Sequence, residues 1–499
     1  MIATITISVL AFVGFISCVL FFPRIKFCKK TVKSSQTETE KVTNENVVSN
    51  GTEISAVIKL EVENESVVAN EIECAKEHKV AKKLKVSNEL LKERKGFSLE
   101  TFWIAPLLGA ILLLAVSAVS PSDVWTSFSS NSAVNPLKIL ALFFSMTIVS
   151  VFLDEAGFFE YFAAKTAIRF GGSQNTLFFA LYAVISLLTI FTSNDIVILT
   201  FTPFICYFCK RANIKPLPYL IMEFVAANTW SMLLIIGNPT NIYLATALQV
   251  NFFEYTKIMA LPTVVAGVVS FAIIRLLFFK PLKEKITTQS EKAVLKDKTL
   301  TALALTTLTV CIILLAVASF VKAMEMWIVA VGSMAVLLVA VLIYCLAKHQ
   351  KPTVIKNALG RAPWLLIPFV LSMFIIVLAF SKQGITIAIA NFLGSDFAVF
   401  KYGFLSFVGA NILNNIPMSV LFAEVAAAGG ATVAASYATI IASNIGAILT
   451  PVGALAGIMW TDIIRKNNIK MSIFQFVKYG IFVSIPTLTL SLAVLCFFV

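Results

Sequence analysis

Phe191-Thr192-Ser193-Asn194-Asp195-Ile196, Ala226-Ala227-Asn228 and Gly237-Asn238-Pro239-Thr240-Asn241-Ile242 interrupt the apolar sequence of the first half of the chain. The second half is interrupted by Leu413-Asn414-Asn415-Ile416, Ala442-Ser443-Asn444 and Thr450-Pro451-Val452-Gly453. In both sets an Ala-x-Asn precedes a Gly by the same interval, Asn228 to Gly237 and Asn444 to Gly453, and an Ile follows that Gly by the same interval, at Ile242 and Ile458. Polar, helix-breaking residues at membrane depth are tolerated only where they line a cavity or are buried in protein. A matched pair of such breaks, one per half, points to the binding site of a transporter.

Composition sets the class. With 58% hydrophobic and 13% charged residues the chain departs from the roughly 25% charged residues of soluble domains, which excludes a soluble globular protein. The net charge of +13 reports topology rather than a polyanionic partner, because Lys and Arg collect in cytoplasmic loops. No nucleic acid is expected to bind. The eight Cys residues show no disulfide spacing, and Cys206-x-x-Cys209 has no second ligand pair and no nearby His to make a metal or redox site. His78 and His349 lie in polar segments, so an intramembrane His relay is excluded. No metal site, no cofactor and no enzyme chemistry are expected, since no nucleophile, base and metal set converges at the breaks.

Charge flanking then orders the chain. Residues 1–22 read as a first transmembrane helix, followed by the basic Arg24, Lys26, Lys29 and Lys30, the reverse of a secretory signal. Residues 23–97 read as a polar cytoplasmic insert, largely disordered for want of apolar surface, with an amphipathic helix allowed over about Glu71 to Lys95. Residues 98–280 form the rest of a first repeat, 281–298 a cytoplasmic linker and 299–499 a second repeat. The segment broken at Ser193-Asn194-Asp195 has basic residues at both ends (Lys165 and Arg169; Lys210 and Arg211), which a re-entrant hairpin satisfies and a simple span does not. The hairpin broken at Asn414-Asn415 has both ends outside. The fold class expected is an all-α polytopic membrane protein. Its two inverted repeats contain two re-entrant hairpins, two broken transmembrane helices and about 10 full spans, with both termini outside.

Broken helices expose N–H groups at one end and C=O groups at the other, so the positive end favours an anion and the carbonyl end a cation. Asn194, Asn228, Asn414, Asn415 and Asn444 add neutral donors and acceptors. Thr192, Ser193, Thr240 and Thr450 add hydroxyls; Asn238 and Asn241 flank the first turn. Gly237 and Gly453 let the backbone approach a ligand, and Pro239, Pro417 and Pro451 keep the helices broken. A carboxylate near the bilayer middle costs about 3 kcal/mol or more unless paired or hydrated, which makes Asp195 the main candidate for ion or proton coupling; its plainer role is an N-cap of the helix beginning at Ile196. Glu223 is a second candidate for proton coupling. Glu424, close to an interface, is weaker, and Asp154 and Glu155 read as interface anchors at a helix end.

Leu153-Asp154-Glu155-Ala156-Gly157-Phe158-Phe159-Glu160, the Asn-Asp hairpin with Thr200 and Pro203, Gly360-Arg361-Ala362-Pro363-Trp364, Asn414-Asn415-Ile416-Pro417 and Thr450-Pro451-Val452-Gly453-Ala454-Leu455-Ala456 through Trp460 resemble the arsenite permease (ArsB) family. That family belongs to the ion transporter superfamily, with its sodium/proton antiporters and citrate/dicarboxylate permeases. The similarity runs from about residue 100 to the C-terminus and leaves the polar insert outside. It implies secondary export of arsenite and antimonite, driven by a proton gradient or assisted by an ATPase subunit. At two positions where the resemblance leads us to expect acidic residues this chain has Asn228 and Asn444, and Gly237-Asn238-Pro239-Thr240-Asn241 is closer to the turn of the carboxylate transporters.

The leading expectation is therefore an arsenite/antimonite efflux permease in the cell membrane, coupled to H+ or Na+. The alternatives are a sodium-coupled citrate/dicarboxylate transporter, a sodium/proton antiporter, and a membrane sensor or scaffold acting through residues 31–97. A small inorganic or organic anion, membrane lipid, a second copy in a homodimer and an ATPase subunit are the candidate partners.

Overall fold

The computed structural model describes residues 2–20, 24–27, 97–130, 135–284, 286, 295–321 and 324–498. The chain divides into two compact units, Met1–Phe22 with Phe102–Val499, and Pro23–Thr101. In the second unit two short strands, β1 (Arg24–Phe27) and β2 (Phe97–Glu100), pair antiparallel with Arg24 opposite Glu100 and Phe27 opposite Phe97. The sequence reading did not anticipate this ribbon. The amphipathic helix expected over residues 71–95 lies outside the described residues.

The larger unit is helical throughout its described residues. It opens with α1 (Ile2–Leu20), α2 (Ile104–Ala115), the short α3 (Pro121–Ser129), α4 (Pro136–Glu155) and α5 (Phe158–Phe170). The first pair of breaks lies among α6 (Gln174–Phe191), α7 (Asn194–Arg211), α8 (Leu217–Trp230) and α9 (Pro239–Ala247), followed by the long α10 (Phe252–Leu277). The second half runs through α11 (Lys298–Ala318), α12 (Met326–Ala347), α13 (Thr353–Arg361), α14 (Leu366–Lys382) and α15 (Ile385–Leu393). The second pair of breaks lies among α16 (Ala398–Leu413), α17 (Asn415–Gly429), α18 (Val433–Gly446) and α19 (Leu455–Lys466), and α20 (Ile473–Phe498) closes the unit. Among the described residues seven helices are long and apolar enough to cross a membrane.

Three short helices stand between the longer ones. α3 forms because Ser120 and Asp123 make a reciprocal capping box ahead of Pro121 at the first helical position. α13 covers the basic segment before Arg361, and α15 follows α14 after Gly384. Gly384 (φ +72°) and Gly157 (φ +81°) both take the left-handed conformation, so the turn from α4 to α5 and that from α14 to α15 are built alike.

Packing is reciprocal. α1 and α2 lie against each other and against α14, while α11 and α12 lie against each other and against α4. α7 packs on α19, and α17 packs on α9, so the second helix after each first break meets the second part of the opposite broken helix. α8 and α18 meet, and α10 and α20 run together alongside them. A Cβ on Gly480 would stand 2.6 Å from Leu449 O and 2.7 Å from Ile448 O, so a glycine here lets α20 close on the chain that leaves α18.

Ion pairs repeat the exchange with opposite polarity. Arg361 at the end of α13 binds Asp154 (2.5 Å) and Glu155 (2.6 Å) at the end of α4, whereas Lys382 at the end of α14 binds Asp123 of α3. The Lys382 ammonium, and after it the Ser120 hydroxyl and N–H, hold the Asp123 carboxyl down at about 2 from an ordinary 3.8. Its folded value lies below its unfolded one, so the pair stabilises the fold above pH 3.8 and loses that effect as pH falls through about 2. Because the pair is partly exposed, Lys382→Met should lower the unfolding temperature at neutral pH by only roughly a few degrees. The difference from wild type should vanish on acidification; a difference that persists would show that Lys382 acts through packing instead.

Candidate functional site

At the first break α6 ends with the Thr192 hydroxyl donating back to Leu188 O (2.7 Å), and the chain extends through Ser193 before α7 begins. Asn194 Oδ1 accepts from Asp195 N (2.9 Å), and its Nδ2 donates to Asn228 Oδ1 (3.2 Å) on α8. Asn228 in turn donates to Phe224 O (2.8 Å) of its own helix. α8 stops at Trp230. A single 3₁₀ turn, Ile235–Gly237, follows, and Asn238 caps α9 by accepting from Thr240 N (3.2 Å). The interruption is thus longer than the Gly-Asn-Pro motif alone suggests.

The second set is built on the same plan with different side chains. Asn414, at φ +77°, accepts from Ile416 N (3.3 Å) and donates to Val452 O (2.9 Å), tying the end of α16 to the turn between α18 and α19. Asn415 donates to Ser443 O (3.5 Å). A 3₁₀ turn at Pro451–Gly453 matches the one at Ile235–Gly237. Thr450 donates to Asn411 Oδ1 (2.7 Å), and Asn411 Nδ2 reaches Gly446 O (3.0 Å). Asn411 was not singled out from sequence; an Asn one turn before a break is the signal that would have found it.

The two broken helices meet through Asn444. Its Oδ1 accepts from Ser231 Oγ (3.0 Å) and Asn238 Nδ2 (2.8 Å), and its Nδ2 donates to Asn241 Oδ1 (2.7 Å) and Ile440 O (2.9 Å). Beside it Thr240 and Ser443 share a hydrogen bond of 3.0 Å. Asn241 Nδ2 also caps Ser231 O (2.7 Å) and Leu234 O (3.2 Å), carbonyls left free by the break. All these residues are buried, and buried polar groups are tolerated only when hydrogen-bonded. Ser231 is a further member that sequence reasoning missed.

The acidic candidates do not come together. Among the described residues no hydrogen bond or ion pair reaches the Asp195 carboxylate, and the buried hydroxyls of Ser193, at the same break, and of Thr229, near the end of α8, have no partner. Glu223 is fully buried elsewhere, accepting from Trp460 Nε1 (3.1 Å) of α19 and from Thr202 Oγ1 (2.9 Å) of α7. Thr202 Oγ1 is also 2.6 Å from Ile198 O. Asp154 is more than an interface anchor: besides Arg361 it accepts from Thr200 of α7 (2.6 Å). Among the described residues no cluster of His, Cys, Asp and Glu could hold a metal ion.

Removing the Asn444 carboxamide leaves Asn241 Oδ1 and Asn238 Nδ2 without partners in the interior. Asn444→Ala is expected to cost about 1–3 kcal/mol of stability, measurable by unfolding in detergent. An unchanged unfolding curve would show that water or rearranged side chains replace the junction.

A family profile described as CitMHS, citrate transporter, matches residues 101–439. The arsenical pump membrane protein of Escherichia coli strain K12 is 28% identical over 414 residues, covering 79% of this chain and 92% of that protein. That of Yersinia enterocolitica is 28% identical over 377 residues, covering 71% and 85%. The YdaH transporter of Alcanivorax borkumensis, a solved structure, aligns with a TM-score of 0.47 at 13% identity over 79% of this chain and 96% of that one. With the profile spanning most of the helical unit, the chain belongs to the citrate transporter (CitMHS) family.

Proposed function

We propose that this protein is a secondary active transporter that exports arsenite and antimonite, with the solute held where the two broken helices meet and coupling through Asp195. The observation that carries the reading is the junction itself: matched breaks from the two halves of the chain join through buried carboxamides and hydroxyls, with α7, α9, α17 and α19 all beginning at them. Helix N-termini favour a developing or full negative charge, and the hydroxyls and carboxamides suit the oxygens of an oxyanion or a neutral hydroxide. The arsenical pumps named above supply the substrate class.

Within this reading the two halves are inverted repeats, α6–α7 and α16–α17 are re-entrant hairpins, and α8–α9 and α18–α19 are broken spans, near ten full spans in all. The reciprocal packing, the matched 3₁₀ turns and the matched glycine turns support it. The chain sits in the cell membrane with both termini outside and residues 23–97 in the cytoplasm. Repeats so related let access alternate by rocking one set of helices against the other about a fixed site. Thr192, Ser193, Asn194, Asn228, Gly237, Asn238, Pro239, Thr240 and Asn241 form the first wall, and Asn414, Asn415, Asn444, Thr450, Pro451 and Gly453 the second. Asp195, whose carboxylate is unengaged, takes up the coupling H+ or Na+, and Glu223 is the second proton-accepting group. A homodimer and an ATPase subunit remain part of this proposal.

A second reading, sodium-coupled citrate or dicarboxylate transport, is favoured by the family profile and by Asn228 and Asn444, which make the site less negative than carboxylates would. Vesicles carrying the full chain separate the two when sodium and pH are varied independently across arsenite, antimonite, citrate and dicarboxylates. Proton-linked movement of arsenite or antimonite is expected; sodium-dependent citrate movement without arsenite movement would overturn the first reading. Asp195→Asn is expected to abolish pH-dependent transport at normal expression, and unchanged pH dependence would place coupling elsewhere.

A further inference from the structure

α10 ends in a group of cations that the fold does not pair. Arg275, in the last turn of the helix, and Lys283, in the 3₁₀ turn beyond it, both lie over the ring of Phe279. The Arg275 guanidinium carbon is 5.1 Å and the Lys283 ammonium 4.1 Å from the centre of that ring. Arg275 Nη1 is buried and has no hydrogen-bond partner. Among the described residues no carboxylate pairs with Arg275, Lys280 or Lys283. The start of α20 stands beside this end, with the rings of Phe278 and Tyr479 5.2 Å apart, and brings the exposed Lys478 with it.

Other cations at helix ends are treated differently. Lys215 takes Glu284, the residue next to Lys283; Lys296 takes Glu160; Arg361 takes Asp154 and Glu155; Arg465 and Lys466 share Asp462. A basic residue in the last turn offsets the negative end of the helix, and that accounts for Arg275 alone. It does not account for a second cation on the same ring, since like charges repel, or for a buried guanidinium nitrogen without an acceptor. Arg and Lys carry donors only, so what this group calls for is an anion.

The surroundings select the kind of anion. Leu276 is 75% exposed, and Leu277, Phe279, Ile481 and Phe482 are exposed as well, so the cations stand at the edge of an apolar surface that faces outward. A small inorganic anion matches the cations alone, whereas a phospholipid matches both parts, its phosphate the cations and its chains the leucines and phenylalanines. We infer that the end of α10 and the start of α20 form a binding site for an anionic phospholipid, its headgroup held by Arg275 and Lys283 with Lys280 and Lys478 at the rim. This goes beyond the transporter reading and rests only on the chain's being a membrane protein. In the orientation proposed above, this end meets the cytoplasmic leaflet, where anionic lipids attract basic segments.

The test is native mass spectrometry of the full chain in detergent, titrated at fixed ionic strength with phosphatidylglycerol or phosphatidylcholine of the same acyl chains. Phosphatidylglycerol should bind about tenfold more tightly or better, and an excess of inorganic phosphate should not displace it. The doubly substituted chain, Arg275→Gln with Lys283→Gln, should lose that preference. A control that removes as much charge from another helix end, Lys348→Gln with Lys351→Gln, should keep it. Equal binding of the two lipids, or a preference that survives in the first variant, would overturn the inference. Displacement by inorganic phosphate would make this a site for a free anion and overturn the lipid assignment. Should the double variant fail to fold, Lys283→Gln alone, on an exposed side chain, takes its place and should weaken the preference. Solute movement is not the readout, so a negative result removes the lipid site and leaves the transporter reading intact.

Discussion

The hydrogen bonds of one carboxamide, that of Asn444, close the two halves of the helical unit on each other. Breaking a helix inside an apolar protein strands carbonyls and N–H groups, and each one left unpaired costs about 1–3 kcal/mol. This chain repairs its breaks mutually. Asn241 of one half caps the carbonyls of its own break with its amide nitrogen and accepts from Asn444 of the other half with its oxygen. In the transporter reading, the polarity that would meet a solute is also what makes the broken fold tenable, and neither half completes it alone.

Around that centre the structure distributes charge unevenly. Arg361 of the second half holds two carboxylates at the end of α4, while Lys382 at the end of α14 is held by one carboxylate of the first half. The geometry is exchanged and the polarity reversed. Thr200 links the Arg361 cluster to α7, and so to the helix that begins at Asp195. Movement of α7 against α4 therefore has to break a charge-assisted hydrogen bond, whereas Lys382 and Asp123 tie α14 to the short α3. In the transporter reading the first of these contacts resists movement of the hairpin, and the second braces its surroundings.

The breaks were legible in the sequence because Gly, Pro and Asn have local consequences: Pro239 and Pro451 open helical turns, and Asn238 caps the helix that follows it. Long apolar helices were legible from composition, with ends shifted by a few residues. The short helices were not. α3 depends on a capping box within four residues, and α13 sits in a charged stretch that reads equally well as a loop. Partners were the least legible. Glu223 and Trp460 are 237 positions apart, and Asn238 and Asn444 are 206, so nothing local marks either pair. Similarly, the repeat signature made Asn228 and Asn444 look equivalent; only packing distinguishes the one that is locked from the one that is not.

Cross-linking at the junction probes the central claim, that a solute path runs between two breaks held together at the middle of the unit. Thr240 and Ser443, whose hydroxyls are 3.0 Å apart, come from opposite halves. In full-length protein with its other cysteines replaced, Thr240→Cys with Ser443→Cys should form a disulfide under mild oxidation. Solute movement should stop and should return on reduction. A pair that does not cross-link, or that cross-links while transport continues unchanged, would contradict the account.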